Sequence, residues 1–180
     1  MRGDVVSAER VIKAPPEAIF ELVADASEHP NLDGSGTVKH VKPGAPARLS
    51  LGSTFGMSMK LGVKYPMVNT VVEFEENRRI AWQARPPGIV GRFTAGRIWR
   101  YELEPVGDDS TRVTESWDIS KDHQRLFLRL GALPEKTREN MLRTLDRIAE
   151  LTEKDGADTD TGTATDTGTA TATDPGDRPE

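Results

Sequence analysis

"LPEKTRENMLRTLDRIAELTE", residues 133–153, decides the fold. Pro134 stands where a helix tolerates proline, in the first turn. Met141, Leu142, Leu145, Ile148 and Ala149 recur at helical spacing, so a helix over about 134–154 carries an apolar stripe that must be buried. What precedes it reads almost entirely as strand. Runs at 37–42, 53–60, 64–75, 79–85, 95–105 and 112–120 are separated by turn formers: Pro43, Gly44 and Pro46, then Glu76-Asn77, then Pro86-Pro87-Gly88, then Gly107-Asp108-Asp109-Ser110. At the start, VVSAERVIK (5–13) predicts a further strand. Pro15-Pro16 opens a helix to about Ala26 with Ile19, Phe20, Leu22 and Val23 on its apolar side, and a short helix or turn follows over 27–32. LFLRLGAL (126–133) is apolar and broken by glycine, which predicts a short helix or a lid.

The order is strand, two helices, six strands, long helix. Strands joined as consecutive hairpins make an antiparallel sheet, and that sheet is the one large apolar face on which the terminal stripe can be buried. The class is α+β: a curved sheet of about seven strands around a long C-terminal helix.

Composition divides the chain in two. From Asp155 on, nothing apolar is larger than alanine, and residues 159–164 and 165–170 both read TDTGTA. Such a segment has no apolar surface to offset the entropy of ordering, so disorder is expected over 155–180 and a folded domain over 1–154. The tail holds seven of the 29 acids and one of the 24 bases, leaving 22 and 23 in the body. The net charge of −5 is thus a property of the tail, and a near-neutral body makes no electrostatic case for nucleic acid. With no cysteine, disulfides and thiolate metal sites are excluded. His29, His40 and His123 fit no common metal spacing, and no G-x-S-x-G elbow or phosphate loop is present, so neither metal nor cofactor is expected. MRGDVVSAERVIK (1–13) contains no apolar signal-type run, and no stretch approaches a membrane span; the expectation is a cytoplasmic protein without integral membrane association.

IKAPPEAIFELVAD, DGSGTV, VTESWDIS and the closing LPEKTRENMLRTLDRIAELTE together resemble the START-like, or SRPBCC, superfamily, and within it the bacterial polyketide cyclase/dehydrase branch. The resemblance spans about residues 5–154. It implies the helix-grip fold and a deep, mostly apolar cavity between sheet and C-terminal helix. It does not fix the chemistry, because the superfamily includes carriers, receptors and enzymes.

RIWRYEL (97–103) places Arg97, Trp99, Tyr101 and Leu103 on one face, and VTESWDI (113–119) places Val113, Glu115, Trp117 and Ile119 on one face. A hairpin centred near Asp108 pairs Leu103 with Val113, Tyr101 with Glu115 and Trp99 with Trp117, so these faces point inward. Trp82 shares parity with Ile80 and Ala84 and faces in as well. Phe55, Met57 and Met59 alternate on one strand, and Val68, Thr70, Val72 and Phe74 on the next. With Met141 and Leu145 from the helix, these side chains are the expected cavity lining; aromatics with few polar groups suit a core and a small-molecule pocket alike. Glu115 on an aromatic face needs a partner or a raised pKa, and Tyr101 and Arg97 are the nearest candidates. A satisfied structural pair, a polar anchor for a ligand and a general acid/base are the three readings.

HPNLDGSGTV (29–38) contains the residue types of nucleophilic catalysis and also those of a turn. A Ser-His-Asp set confined to one short loop cannot easily hold triad geometry, whereas Asp33-Gly34 and Ser35-Gly36 are turn formers with glycine supplying positive φ. The turn reading is preferred, at a cavity opening. Arg125 and Arg129 beside the apolar 126–133 segment suit a solvated helix face better than a membrane-facing patch. The leading function is binding a small hydrophobic or aromatic molecule internally. The alternative is a polyketide cyclase/aromatase or dehydratase using Glu115, Tyr101 or His29 as cavity acid/base. A non-enzymatic partner of another protein, or a toxin-like module, is the third class.

Overall fold

The computed structural model describes residues 3–94, 96–107 and 109–160. Its strands are β1 Val5–Ile12, β2 Val38–Val41, β3 Thr54–Leu61, β4 Val63–Glu75, β5 Arg79–Arg85, β6 Arg97–Pro105 and β7 Thr111–Asp118. Its helices are α1 Pro16–Ala24, α2 His29–Leu32, α3 Gly88–Thr94, α4 Arg125–Leu128 and α5 Leu133–Asp160. The strands form one antiparallel sheet in the order β1-β7-β6-β5-β4-β3-β2. Every neighbour after β2 is a hairpin partner, and β1 closes the order by pairing with β7.

Local chemistry explains the joints. Asn77 takes φ 57° in the turn between β4 and β5, a left-handed position that asparagine tolerates. Pro15 caps α1, with Pro16 in its first turn. That helix buries Ile19, Phe20, Val23 and Ala24 and stops at Ala24, earlier than expected, because Asp25 turns extended and caps a short 3₁₀ turn over Ala26–Glu28. α5 packs on β1 and β7 and against α1 and α2. Met141, Leu145, Ile148 and Ala149 of its stripe are buried, each large apolar side chain contributing about 1.5–3 kcal/mol. Thr137, Thr144 and Thr152 share the covered face and return their hydroxyls to the carbonyls of Leu133, Asn140 and Ile148, so burial leaves them satisfied.

Three expectations need correction. The alternation Val68, Thr70, Val72 does not face inward: a bulge between Val71 and Glu73 shifts the register, so Asn69 and Val71 are buried while Val68 and Val72 are more than a third exposed. One extra residue inverts the parity on either side of it, and such bulges also bend a sheet. The Pro86-Pro87-Gly88 stretch, read as a turn, leads into helix α3. α5 continues to Asp160 rather than ending at 154. The rest of the predicted tail, 161–180, lies outside the described residues, as do Ala95 and Asp108 at two predicted boundaries. Among the described residues no helix is long and apolar enough to cross a membrane.

Candidate functional site

Two cross-strand rows build the inner face of β5, β6 and β7. Trp82 faces Trp99, which faces Trp117; Ile80 faces Tyr101, which faces Glu115. The β6–β7 register is the one the aromatic faces predict. Between the rows Trp82 stacks on Tyr101, 5.6 Å apart at 28°, and within the first row Trp99 lies tilted against Trp117, 6.3 Å apart at 37°. A further ring arrives from outside the sheet: His29 stacks on Trp82 at 4.8 Å and 25°. Phe55 meets His29 and Trp82 edge-on at 5.4 and 6.0 Å. Trp82, Tyr101, Glu115, Trp117, Phe55 and His29 are each less than a tenth exposed. Met57, Met141 and Leu145 are also buried, whereas Met59, Trp99 and Phe74 are half-buried against the same core. Phe74 stands apart from the histidine group, edge-on to Phe20 at 5.4 Å with the Arg48 guanidinium 5.8 Å away.

His29 reaches this wall because α2 begins at His29, directly after the 3₁₀ turn, with Pro30 in its first turn. Its Nε2 stands 2.9 Å from the Val23 carbonyl, so Nε2 carries the hydrogen and donates it. Nδ1 is left with a lone pair and has no hydrogen-bond partner among the described residues. Burial pushes the His29 pKa down, against the opposing pull of the Val23 carbonyl and nearby Asp25, Asp33 and Glu28, which keeps the ring neutral.

Glu115 is the second incompletely satisfied group. Burial raises its pKa to about 8; the Tyr101 hydroxyl opposes that rise, and the charge of Asp33 adds to it. The carboxyl is therefore mainly a neutral acid at pH 7. Its Oε2 has no partner among the described residues. Tyr101 is pushed well above its ordinary value by burial and then by Glu115, and stays a phenol. The wall thus presents a carboxylic acid able to donate and an imidazole nitrogen able to accept.

Arg97 is not the partner of Glu115. Its Nε donates to Asp122 Oδ2 at 3.0 Å, and the Asp122 side chain is completely covered. Asp122, whose Oδ1 also accepts the Gln124 N–H at 2.7 Å, gave no sequence signal because it lies past the end of β7 in a stretch with no periodicity.

Within HPNLDGSGTV, residues 33–37 form a turn between α2 and β2. Asp33 Oδ1 accepts the Ser35 N–H at 3.0 Å and the Ser35 hydroxyl at 2.6 Å, while Oδ2 accepts the Val38 N–H at 2.7 Å. The Ser35 hydroxyl also shares a hydrogen bond with that of Thr37, and His29 is turned to the Val23 carbonyl, so no Ser-His pair exists here. Positive φ is supplied by Gly36, at 66°, but not by Gly34. Gly34 is needed for a different reason: a Cβ there would lie 2.2 Å from the Asn140 carbonyl oxygen of α5. The Gly34 N–H donates to Thr144 Oγ1 at 3.0 Å, and Arg147 donates to the Asp33 carbonyl, so α5 holds the loop at two points. The loop brings the Asp33 charge within range of Tyr101 and Glu115.

Two surface depressions are described. One, of about 330 Å³, is lined by charged residues including Arg79, Glu102 and Arg112; the other, of about 410 Å³, lies over the β2–β3 connection at Lys42–Ala47. Neither is lined by the aromatic wall. Among the described residues no three His, Asp or Glu side chains are grouped to hold a metal ion.

The sequence profile of a family described as "Polyketide cyclase / dehydrase and lipid transport" matches residues 4–153. The chain belongs to this family. A curated relative, the uncharacterized protein Rv0088 of Mycobacterium tuberculosis, is 36% identical over 115 residues, 63% of this chain and 46% of that protein. The chain thus matches about half the length of that relative. A START superfamily protein from Mycobacterium smegmatis superposes with a TM-score of 0.63 at 18% identity, covering 84% of this chain and 99% of that one. DynU16, a putative protein in the dynemicin biosynthetic locus, superposes with a TM-score of 0.60 at 17% identity, covering 85% of this chain and 48% of its own. For this polyketide cyclase/dehydrase family member, those identities carry the helix-grip fold and leave the chemistry to the side chains of the wall.

Proposed function

We propose that this chain binds a small, flat, mostly apolar molecule against the inner face of β5, β6 and β7, with Glu115 and His29 as its polar anchors. The observation that carries the reading is that Glu115 Oε2 and His29 Nδ1, buried on one aromatic wall, both lack partners among the described residues. A buried polar atom without a partner costs about 1–3 kcal/mol, which a ligand with an oxygen acceptor and a hydroxyl donor would recover. Membership of a family whose description includes lipid transport supports an apolar ligand.

The test is tryptophan quenching by 1,8-dihydroxyanthraquinone, with anthracene as the equally flat apolar control. Wild type is expected to prefer the dihydroxy compound. Glu115→Leu should remove that preference, about 3- to 10-fold in affinity for one lost hydrogen bond, while Glu115→Gln, which keeps a donor, retains most of it. Equal affinity for the two compounds in wild type, or no quenching by either, would overturn the reading.

The second reading, a dehydratase or cyclase, is favoured by one feature: an acid and a base lie on one aromatic wall, with Trp82 and Tyr101 between them. On a β-hydroxy ketone, His29 Nδ1 would take the proton beside the carbonyl while Glu115 protonates the departing hydroxyl. Water leaves, a carbon–carbon double bond forms, and the imidazolium and carboxylate re-equilibrate their proton through solvent. New conjugated absorbance in the same assay with such a substrate, absent in Glu115→Gln, promotes this reading over simple binding.

A further inference from the structure

One end of the sheet displays large apolar side chains that no neighbour among the described residues covers. The register brings three connections to that end. Leu61 pairs with Val63 across the β3–β4 turn, which extends past the Val68–Arg85 pair where β5 ends. α3 leaves from Arg85 and returns to β6, and Ile98 of β6 pairs with Asp118, the last residue of β7, from which the chain proceeds to α4. Leu61 and Val63 on the turn, Ile89 and Phe93 on α3, and Leu126, Phe127 and Leu130 on and after α4 are each 67–75% exposed. Single exposed apolar residues are ordinary; seven on three adjacent connections at one end are not.

The exposed charges at this end that lack an ion-pair partner among the described residues are basic. Lys60 and Lys64 flank the β3–β4 turn, Arg85 precedes α3, Arg125 opens α4 and Lys136 lies in the first turn of α5; all five are exposed. The acids of this end are already engaged: Asp4 by Arg129, Asp122 by Arg97 and Glu135 by Arg138. Asp118 accepts the Ser120 N–H and Asp33 is tied into its own turn. Apolar side chains ringed by unneutralised cations match a surface that is apolar below and anionic above. We propose that this end docks reversibly on an anionic phospholipid bilayer, with Phe93, Phe127 and Leu130 entering the headgroup boundary. A second copy of the chain is disfavoured, since a two-fold contact through this face would bring the same five cations against each other.

The proposal is independent of the ligand reading and is tested without a ligand. The full chain is sedimented with vesicles of phosphatidylcholine alone and with vesicles containing equal parts of phosphatidylglycerol. Binding is expected to the anionic vesicles only and to fall with added salt. Lys64→Glu and Arg125→Glu should each weaken it by about fivefold or more, and Phe93→Ser with Phe127→Ser should abolish co-sedimentation. Both aromatic sites are exposed, so an unchanged melting curve verifies that these variants fold. No vesicle binding, or equal binding to neutral and anionic vesicles, overturns the proposal. So does concentration-dependent self-association that Phe127→Ser removes, which would identify a second copy as the occupant.

Discussion

At Glu115 and His29, burial displaces two ordinary pKa values in opposite functional directions. Glu115 rises from 4.5 to about 8, so the folded state holds a proton that the unfolded chain releases between those values. Its stabilising effect is complete below pH 4.5, declines as pH rises and is lost above about 8, with a slope of up to about 1.4 kcal/mol per pH unit. His29 is shifted below 6.5, so its contribution is present above 6.5 and is lost as pH falls. Melting temperature measured from pH 5 to 9 should therefore decline between about pH 6.5 and 8 in wild type and level off above that. Glu115→Gln should flatten that decline, because the amide has no proton to lose; an unchanged slope between about pH 6.5 and 8 in the variant would place the titration elsewhere. The need for a raised pKa or a partner at Glu115 was legible from a lone carboxylate at an inward strand position among aromatics. The burial of Asp122 was not, because it depends on Arg97 arriving from a strand 25 residues earlier.

Between neighbouring elements, the Gly34 contact decides how the α2–β2 loop sits. Gly34→Ala would set a methyl 2.2 Å from the Asn140 carbonyl oxygen, against helix backbone that cannot step aside, and should cost about 1–3 kcal/mol or more in urea unfolding. Gly36→Ala is the internal control: nothing lies within 4 Å of its Cβ, so only the strain of φ 66° applies, about 1–2 kcal/mol. A Gly34→Ala cost no greater than that of Gly36→Ala would contradict the close packing. The sequence marked this segment as a turn from Asp, Ser and Gly alone, but assigned Gly34 the wrong duty, since turn propensity is local and contact with α5 spans 110 residues. The β6–β7 register was readable because the aromatic faces match in one alignment only. The β4 alternation failed at Val72, where one unpaired residue inverts a period of two without any compositional mark. α3 was hidden behind Pro86-Pro87-Gly88, and its own sequence, GIVGRFT, carries two glycines that weaken a helical pattern.

Across the whole molecule, the long apolar stripe of α5 and the hairpin order of the strands were enough to fix the helix-grip architecture, since an antiparallel sheet wrapped on one helix is the arrangement that buries both. That architecture seats the short helix α2 against the edge strand β2 and α5, from where the His29 ring reaches Trp82 on the middle strand β5 and joins a wall ending in Glu115. The central claim is that this wall is a ligand site whose polar end is a protonated Glu115. It is tested most directly by NMR of the Glu115 side-chain carboxyl carbon, labelled with ¹³C and assigned through Glu115→Gln, in the full chain with and without 1,8-dihydroxyanthraquinone. The predicted result is a titration midpoint near 8 in the free protein and a resonance that moves at pH 7 when the compound is added. A midpoint near the ordinary 4.5, with a resonance indifferent to the compound, would contradict it.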